Sequence, residues 1–175
     1  MSDPCPVCGF EGRTVSPADA AVALRSYPRR YRALLTQPME DEGDRPDDPA
    51  RRPGSSGWSA VAHAHWAAMA FDAVSEALHQ VLIHDHPDVS APTVDPPDPP
   101  PVDEPTPVGL DRLTVAAESL AMAVEHAGAG QWTRTGTTGV GEVSALDLVR
   151  LAVHQGIHHL RAAERVLKEV TGRPG

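Results

Sequence analysis

The stretch Ser144-Ala-Leu-Asp147-Leu-Val-Arg-Leu-Ala-Val-His154-Gln-Gly-Ile-His158-His159-Leu-Arg-Ala-Ala-Glu-Arg-Val-Leu-Lys-Glu-Val170 decides how the chain is read. Ser144 with Asp147 three residues later is a capping-box pattern, so a helix begins there with its first amides satisfied. Leu148, Leu151, Ala152, Leu160, Ala163, Val166, Leu167 and Val170 recur at three- and four-residue steps and define one apolar face of a long helix. His154 and His158 lie four apart, on the same side, and interrupt that apolar run. Imidazoles so spaced can share one metal ion, and helical bundles hold metals in their cores by side chains of this kind.

Outward from this helix, the same periodicity predicts three more. Ser16-Pro-Ala-Asp19 is a second helix start, with Pro17 at the first helical position, and Pro28 is expected either to kink that helix or to restart it from Ser26. Ser59 caps a helix carrying Val61, Ala64 or His65, Ala68, Phe71, Val74, Leu78 and Val81. Leu110, Leu113, Ala116, Ala117, Leu120, Ala121 and Val124 form the next, which ends at Gly128-Ala-Gly130. The expected architecture is all-α, a four-helix bundle over residues 16–171. Residues 37–57 read as a loop, and the Thr- and Gly-rich residues 131–141 as a turn region able to form a small hairpin. Residues 91–109 hold eight prolines and read as an extended connector, a Pro-rich crossover long enough to traverse a bundle. Residues 1–15 are expected to be a Cys-x-x-Cys knuckle or a flexible tail.

The composition excludes several classes. A net charge of -9 opposes binding to nucleic acid or to an anionic membrane surface. No apolar run is long enough to span a bilayer. The start, Met-Ser-Asp-Pro-Cys-Pro, lacks the basic region and apolar core of a secretion signal, so the expected location is cytoplasmic. With 41% apolar but only 4% aromatic residues, the small side chains suit close-packed helices.

The two cysteines, Cys5 and Cys8, form half of a four-ligand zinc set. Three readings stay open for them: a terminal tag without a role, zinc held together with two histidines or with the knuckle of a second subunit, and a redox dithiol. Other polar residues have ordinary readings beside sharper ones. Arg150 and Arg161 could face an anionic substrate or simply solvent. Trp58 and Trp132 are core anchors or lids before they are stacking platforms. His84 and His86 beside Asp85 could bind a surface ion or belong to a plain loop.

Gly57-Trp58-Ser59-Ala-Val61 at the head of the second helix, with His154-Gln-Gly-Ile-His158-His159-Leu-Arg in the fourth, resembles the DinB-like superfamily of small metal-binding bundles. The similarity is greatest to actinobacterial members that open with a Cys-x-x-Cys-Gly knuckle. The resemblance implies a four-helix bundle with a crossed connection, often dimeric, and a divalent ion, zinc or nickel, on three histidines. It further implies thiol chemistry: S-transferases and isomerases that join a small-molecule thiol, here mycothiol, to an electrophile. Under it, His154 and His158 are two of the metal ligands. The third is expected eight residues after Trp58, at Trp66, so His65 or, less directly, His63 would have to supply it. Whether the chain is an enzyme stays open, and a metal-free binding module is the alternative.

Overall fold

The computed structural model describes residues 4–36 and 48–172. Part of the loop expected over residues 37–57 therefore lies outside the described residues. Four helices dominate: α1 (Pro17–Thr36), α2 (Ala60–Ile83), α3 (Thr106–His126) and α4 (Ala145–Thr171). One antiparallel hairpin, β1 (Thr135–Thr138) and β2 (Gly141–Ser144), precedes α4. No helix among the described residues is long and apolar enough to cross a membrane.

Local chemistry sets the helix starts. The Ser16 hydroxyl accepts from the Asp19 amide at 3.2 Å while the Asp19 carboxylate accepts from the Ser16 amide at 3.2 Å, a reciprocal box. Ser144 Oγ accepts from the Asp147 amide at 3.1 Å, and Ser59 Oγ from the Ala62 amide at 3.0 Å. Pro28 lies inside α1 without ending it, so of the two outcomes expected there the restart does not occur. Packing against the core outweighs the one backbone hydrogen bond that proline removes. α3 starts at Thr106, a turn before the apolar spacing that begins at Leu110, because Pro107 is at home in a first turn. At the other end of α4, Gly172 takes φ 66° and closes the helix with a left-handed residue.

The helices form a square in which α1 touches α3 and α4, and α2 touches the same two, leaving α1 and α2 on one diagonal. Contact order along the chain gives the directions. Tyr27 donates to the Val153 carbonyl and Tyr31 to that of Gly156, so α1 and α4 run parallel. His63 meets His159 while Trp66 meets Gln155, so α2 and α4 are antiparallel. Arg25 pairs with Glu118 and Glu125 whereas Arg32 pairs with Asp111, so α1 and α3 are antiparallel. It follows that α2 and α3, consecutive in sequence, are parallel.

That topology gives the Pro-rich connector its task. The 24 residues of α2 rise about 1.5 Å each, or about 36 Å in all, and the chain must return this distance before α3 can begin. The connector leaves α2 beside the hairpin, where the Val89 amide donates to Thr137 and the Thr137 amide to Pro87, both at 2.8 Å. It then passes over α4 as a strap without helix or strand. The core lies between the helices and is built from Leu24, Tyr31, Phe71, Leu78, Leu113, Leu120, Leu148 and Leu160 with many alanines.

Candidate metal centre

Cys5, Cys8, His154 and His158 come together at the α4 surface beneath the N-terminal segment. One ligand atom from each, two sulfurs and two imidazole nitrogens, lies within 4.8 Å of every other. The cysteines come from a tight knuckle in which the Gly9 amide donates to the Cys5 carbonyl at 2.8 Å and the Cys5 amide to Phe10 at 3.0 Å. Gly9 makes this turn at φ 71°, a conformation that glycine adopts without cost. The following residues are fastened to α4 by Arg150, whose guanidinium donates to the carbonyls of Val15 and Arg13, both at 3.1 Å. Arg150 thus serves the fold, and Arg161 pairs with Glu164 at the surface.

The two histidines are prepared differently. His158 Nδ1 faces Cys5 Sγ at 3.6 Å, while its Nε2 meets Asp95 Oδ1 of the strap at 2.8 Å. A carboxylate on one ring nitrogen fixes the tautomer and aims the bare nitrogen at the centre. His154 is buried, and neither of its ring nitrogens has a hydrogen-bond partner. Phe10 stacks on its ring, 4.9 Å between centroids with planes 11° apart. Burial, reinforced by His158, lowers the His154 pKa and keeps the ring neutral. A buried imidazole with two orphaned nitrogens is costly unless something binds it, and a cation on either nitrogen answers that need.

Burial also pushes the Cys8 thiol up to about 11, with Cys5 beside it adding to the rise and the Phe10 backbone opposing it. A thiol held neutral in this way gives up its proton when a cation takes its place. Two thiolates and two neutral imidazoles are a tetrahedral zinc set, so the residues present fit a divalent ion.

His65 is not part of this group. Its ring points toward α3, where Nε2 is packed against Gly109 and lies 3.7 Å from Glu104. Trp66 faces α4 and donates to Gln155 Oε1 at 3.2 Å. His63, on the same face as Trp66, meets His159 Nδ1 to Nδ1 at 2.9 Å, and His159 Nε2 donates to the Val94 carbonyl at 2.9 Å. Trp58 stacks over both rings, 4.9 Å from His63 and 5.7 Å from His159, as a lid on a histidine pair. Burial lowers the pKa of His63 to about 4 and that of His159 to about 3. A cleft of about 420 Å³ opens beside this pair, lined among others by Val7, Asp95, His158 and Arg165. His86, the other surface candidate, bonds Thr135 and Thr137 of the hairpin.

No protein-family model matches the chain, and no curated protein matches it. Among solved structures, YfiT from Bacillus subtilis, a probable metal-dependent hydrolase with an unusual four-helix bundle topology, superposes with a TM-score of 0.72. The alignment covers 98% of this chain and 99% of YfiT at 12% identity. The chain has the YfiT fold. At that identity the likeness speaks for the bundle and its connections. The parallel α2 and α3 and the strap between them are the features of this chain that depart from a simple up-and-down bundle.

Proposed function

We propose that the protein is a zinc-binding bundle of the DinB-like type, in which Cys5, Cys8, His154 and His158 hold one ion that clamps the N-terminal segment to α4. The carrying observation is the four-atom group with its two orphaned His154 nitrogens. Soft thiolates together with imidazoles favour zinc over nickel, which takes square-planar or tetragonal surroundings more readily. Bound there, zinc supplies a cross-link between parts of the chain far apart in sequence.

Four side-chain ligands complete a tetrahedron, and closed sites of this kind are structural, whereas catalytic zinc keeps one position open. Transferase chemistry with mycothiol would need one ligand to leave before a thiol could reach the ion. The position at which the DinB-like resemblance expects a third histidine carries Trp66, tied to Gln155. This supports a clamp rather than a three-histidine catalyst. The metal-free binding module, by contrast, leaves the two His154 nitrogens without partners.

Metal analysis of the protein purified without chelator tests the reading. The expected result is one zinc per chain, lost in Cys8→Ala and in His154→Ala and kept in His65→Ala. Zinc that survives His154→Ala but disappears with His65→Ala would return the site to three histidines. Turnover of a mycothiol conjugate by the zinc-loaded protein would reinstate the transferase.

A further inference from the structure

We infer that Cys5 and Cys8 are also a thiol–disulfide site, at which peroxide oxidation exchanges the metal for a disulfide and lifts the knuckle off α4. The inference rests on the zinc reading above and adds a chemical modification to it.

Three observations carry it. The two sulfurs lie within 4.8 Å of each other in a Cys-x-x-Cys turn, so side-chain rotation brings them together with little change in the backbone. Both cysteines are only half-buried and not disulfide-bonded, and Val7 between them is 40% exposed, so a small oxidant in water reaches them. Arg150 anchors the chain at Arg13 and Val15, behind the knuckle, and the Gly12–Thr14 turn packs on α4. Ahead of these, the knuckle is held by its ligands, by Phe10 packed on His154 and the core, and by a 3.4 Å bond from Arg165 to the Val7 carbonyl.

The step balances with hydrogen peroxide as oxidant. One thiolate attacks a peroxide oxygen, the O–O bond breaks, and the hydroxide released leaves as water after taking a proton. The second thiolate attacks the resulting sulfenic sulfur, the S–S bond forms, and the S–O bond breaks to release a hydroxide that takes a second proton from solvent and leaves as water. Two electrons pass from the sulfurs to oxygen, and the metal leaves with its charge unchanged because a disulfide is a poor ligand. His154 and His158 stay in place on α4. Val7 forms one wall of the cleft beside Trp58, His63 and His159, so departure of the knuckle widens the entrance to that histidine pair. A thiol reductant with added zinc reverses the exchange.

The test begins with zinc content of the reduced protein, which decides the underlying reading. Hydrogen peroxide is then titrated in the presence of a chromogenic zinc chelator, with intact mass and hydrogen exchange followed in parallel. The expected result is one zinc released for each intramolecular disulfide, seen as loss of two hydrogens, with faster exchange confined to residues 4–12. His154→Ala should still form the disulfide, and Cys8→Ser should form none. Zinc retained while other thiols oxidise, zinc released with only sulfinic acid or intermolecular disulfide, or exchange unchanged over 4–12 would each overturn the inference. Reduced protein without zinc would overturn the clamp and the exchange together.

Discussion

Replacing Gly156 by alanine should loosen the bundle at the point from which both proposed ligand histidines, His154 and His158, project. Gly156 lies between His154 and His158 on α4, and its bare face receives the Tyr27 ring from α1. An alanine Cβ would stand 2.5 Å from Tyr27 Cδ2 and 2.7 Å from Cζ, with Cε2 nearer still. Comfortable carbon contacts begin at about 3.5 Å, so the ring must retreat by about 1 Å. It has little room, since Phe71 stacks behind it at 6.0 Å and the phenol donates to the Val153 carbonyl at 2.9 Å. Overpacking costs about 1–3 kcal/mol. Stretching the buried hydroxyl from its acceptor adds about 1–3 kcal/mol. The better helix propensity of alanine returns about 1 kcal/mol. The net loss is about 1–5 kcal/mol, each kcal/mol of which lowers Tm by roughly 2–4 °C in a chain of this length. Urea unfolding of the metal-free protein measures it without a contribution from the ion. On a Tyr27→Leu background the same substitution should cost less than about 1 kcal/mol, because the clash is gone. A Gly156→Ala protein within about 0.5 kcal/mol of wild type would refute the close approach of α1 and α4, and with it the placement of the histidines.

Asp95→Asn should weaken zinc binding by about 10–100-fold in chelator competition, since the amide no longer orients His158 as a carboxylate does; unchanged affinity would show that the strap contact is idle. The folded-state pKa of His63 is depressed from 6.5 to about 4, so its contribution to stability is complete above pH 6.5 and is lost as the pH falls through 4. Urea midpoints of the metal-free protein should therefore drop over that window, by at most about 3 kcal/mol from this group, and the drop should flatten in His63→Gln. Ser144→Ala should cost about 1 kcal/mol by removing the acceptor for the Asp147 amide, measured in the same unfolding assay. Gly109→Ala would drive a Cβ into the His65 ring and should destabilise the protein while leaving zinc content untouched, because His65 belongs to the α2–α3 packing.

The bundle could be read from the chain because its helices announce themselves locally. Ser16, Ser59 and Ser144 cap where short-range hydrogen bonding says they should, and the apolar stripe of α4 faces the core. The strap could also be read as far as Pro105, since its many prolines lack the amides that helix or sheet needs, whereas Thr106–Gly109 at the end of the same run enter α3. α2 was harder. From Ala60 to Ala68 all residues but Trp66 are buried, because the helix packs against both α3 and α4, so no polar face remains to orient it. Periodicity cannot then say which neighbour a given histidine meets. Turning about 100° per residue, His63 and Trp66 reach α4 and His65 reaches α3. A one-residue ambiguity in a helix buried all round therefore exchanges a metal ligand for a packing residue.

The knuckle shows a different obstacle. Cys5 and His158 are 153 positions apart, and nothing local in either segment indicates the other. Zinc shared between the cysteines and two histidines was one of several readings open to the sequence, and only the folding of the N-terminus onto α4 brings the four atoms together. Energetics make that pairing more than proximity. Without an ion, the centre buries two His154 nitrogens that no protein group partners, beside two half-buried thiols. With one, as proposed, each group would become a ligand, while Asp95 meets His158 from the strap and Phe10 covers His154. On the proposed zinc reading, Cys5 and Cys8 do for the N-terminal segment what a hydrophobic anchor does elsewhere, and the strength of that attachment would follow metal supply and the redox state of two sulfurs.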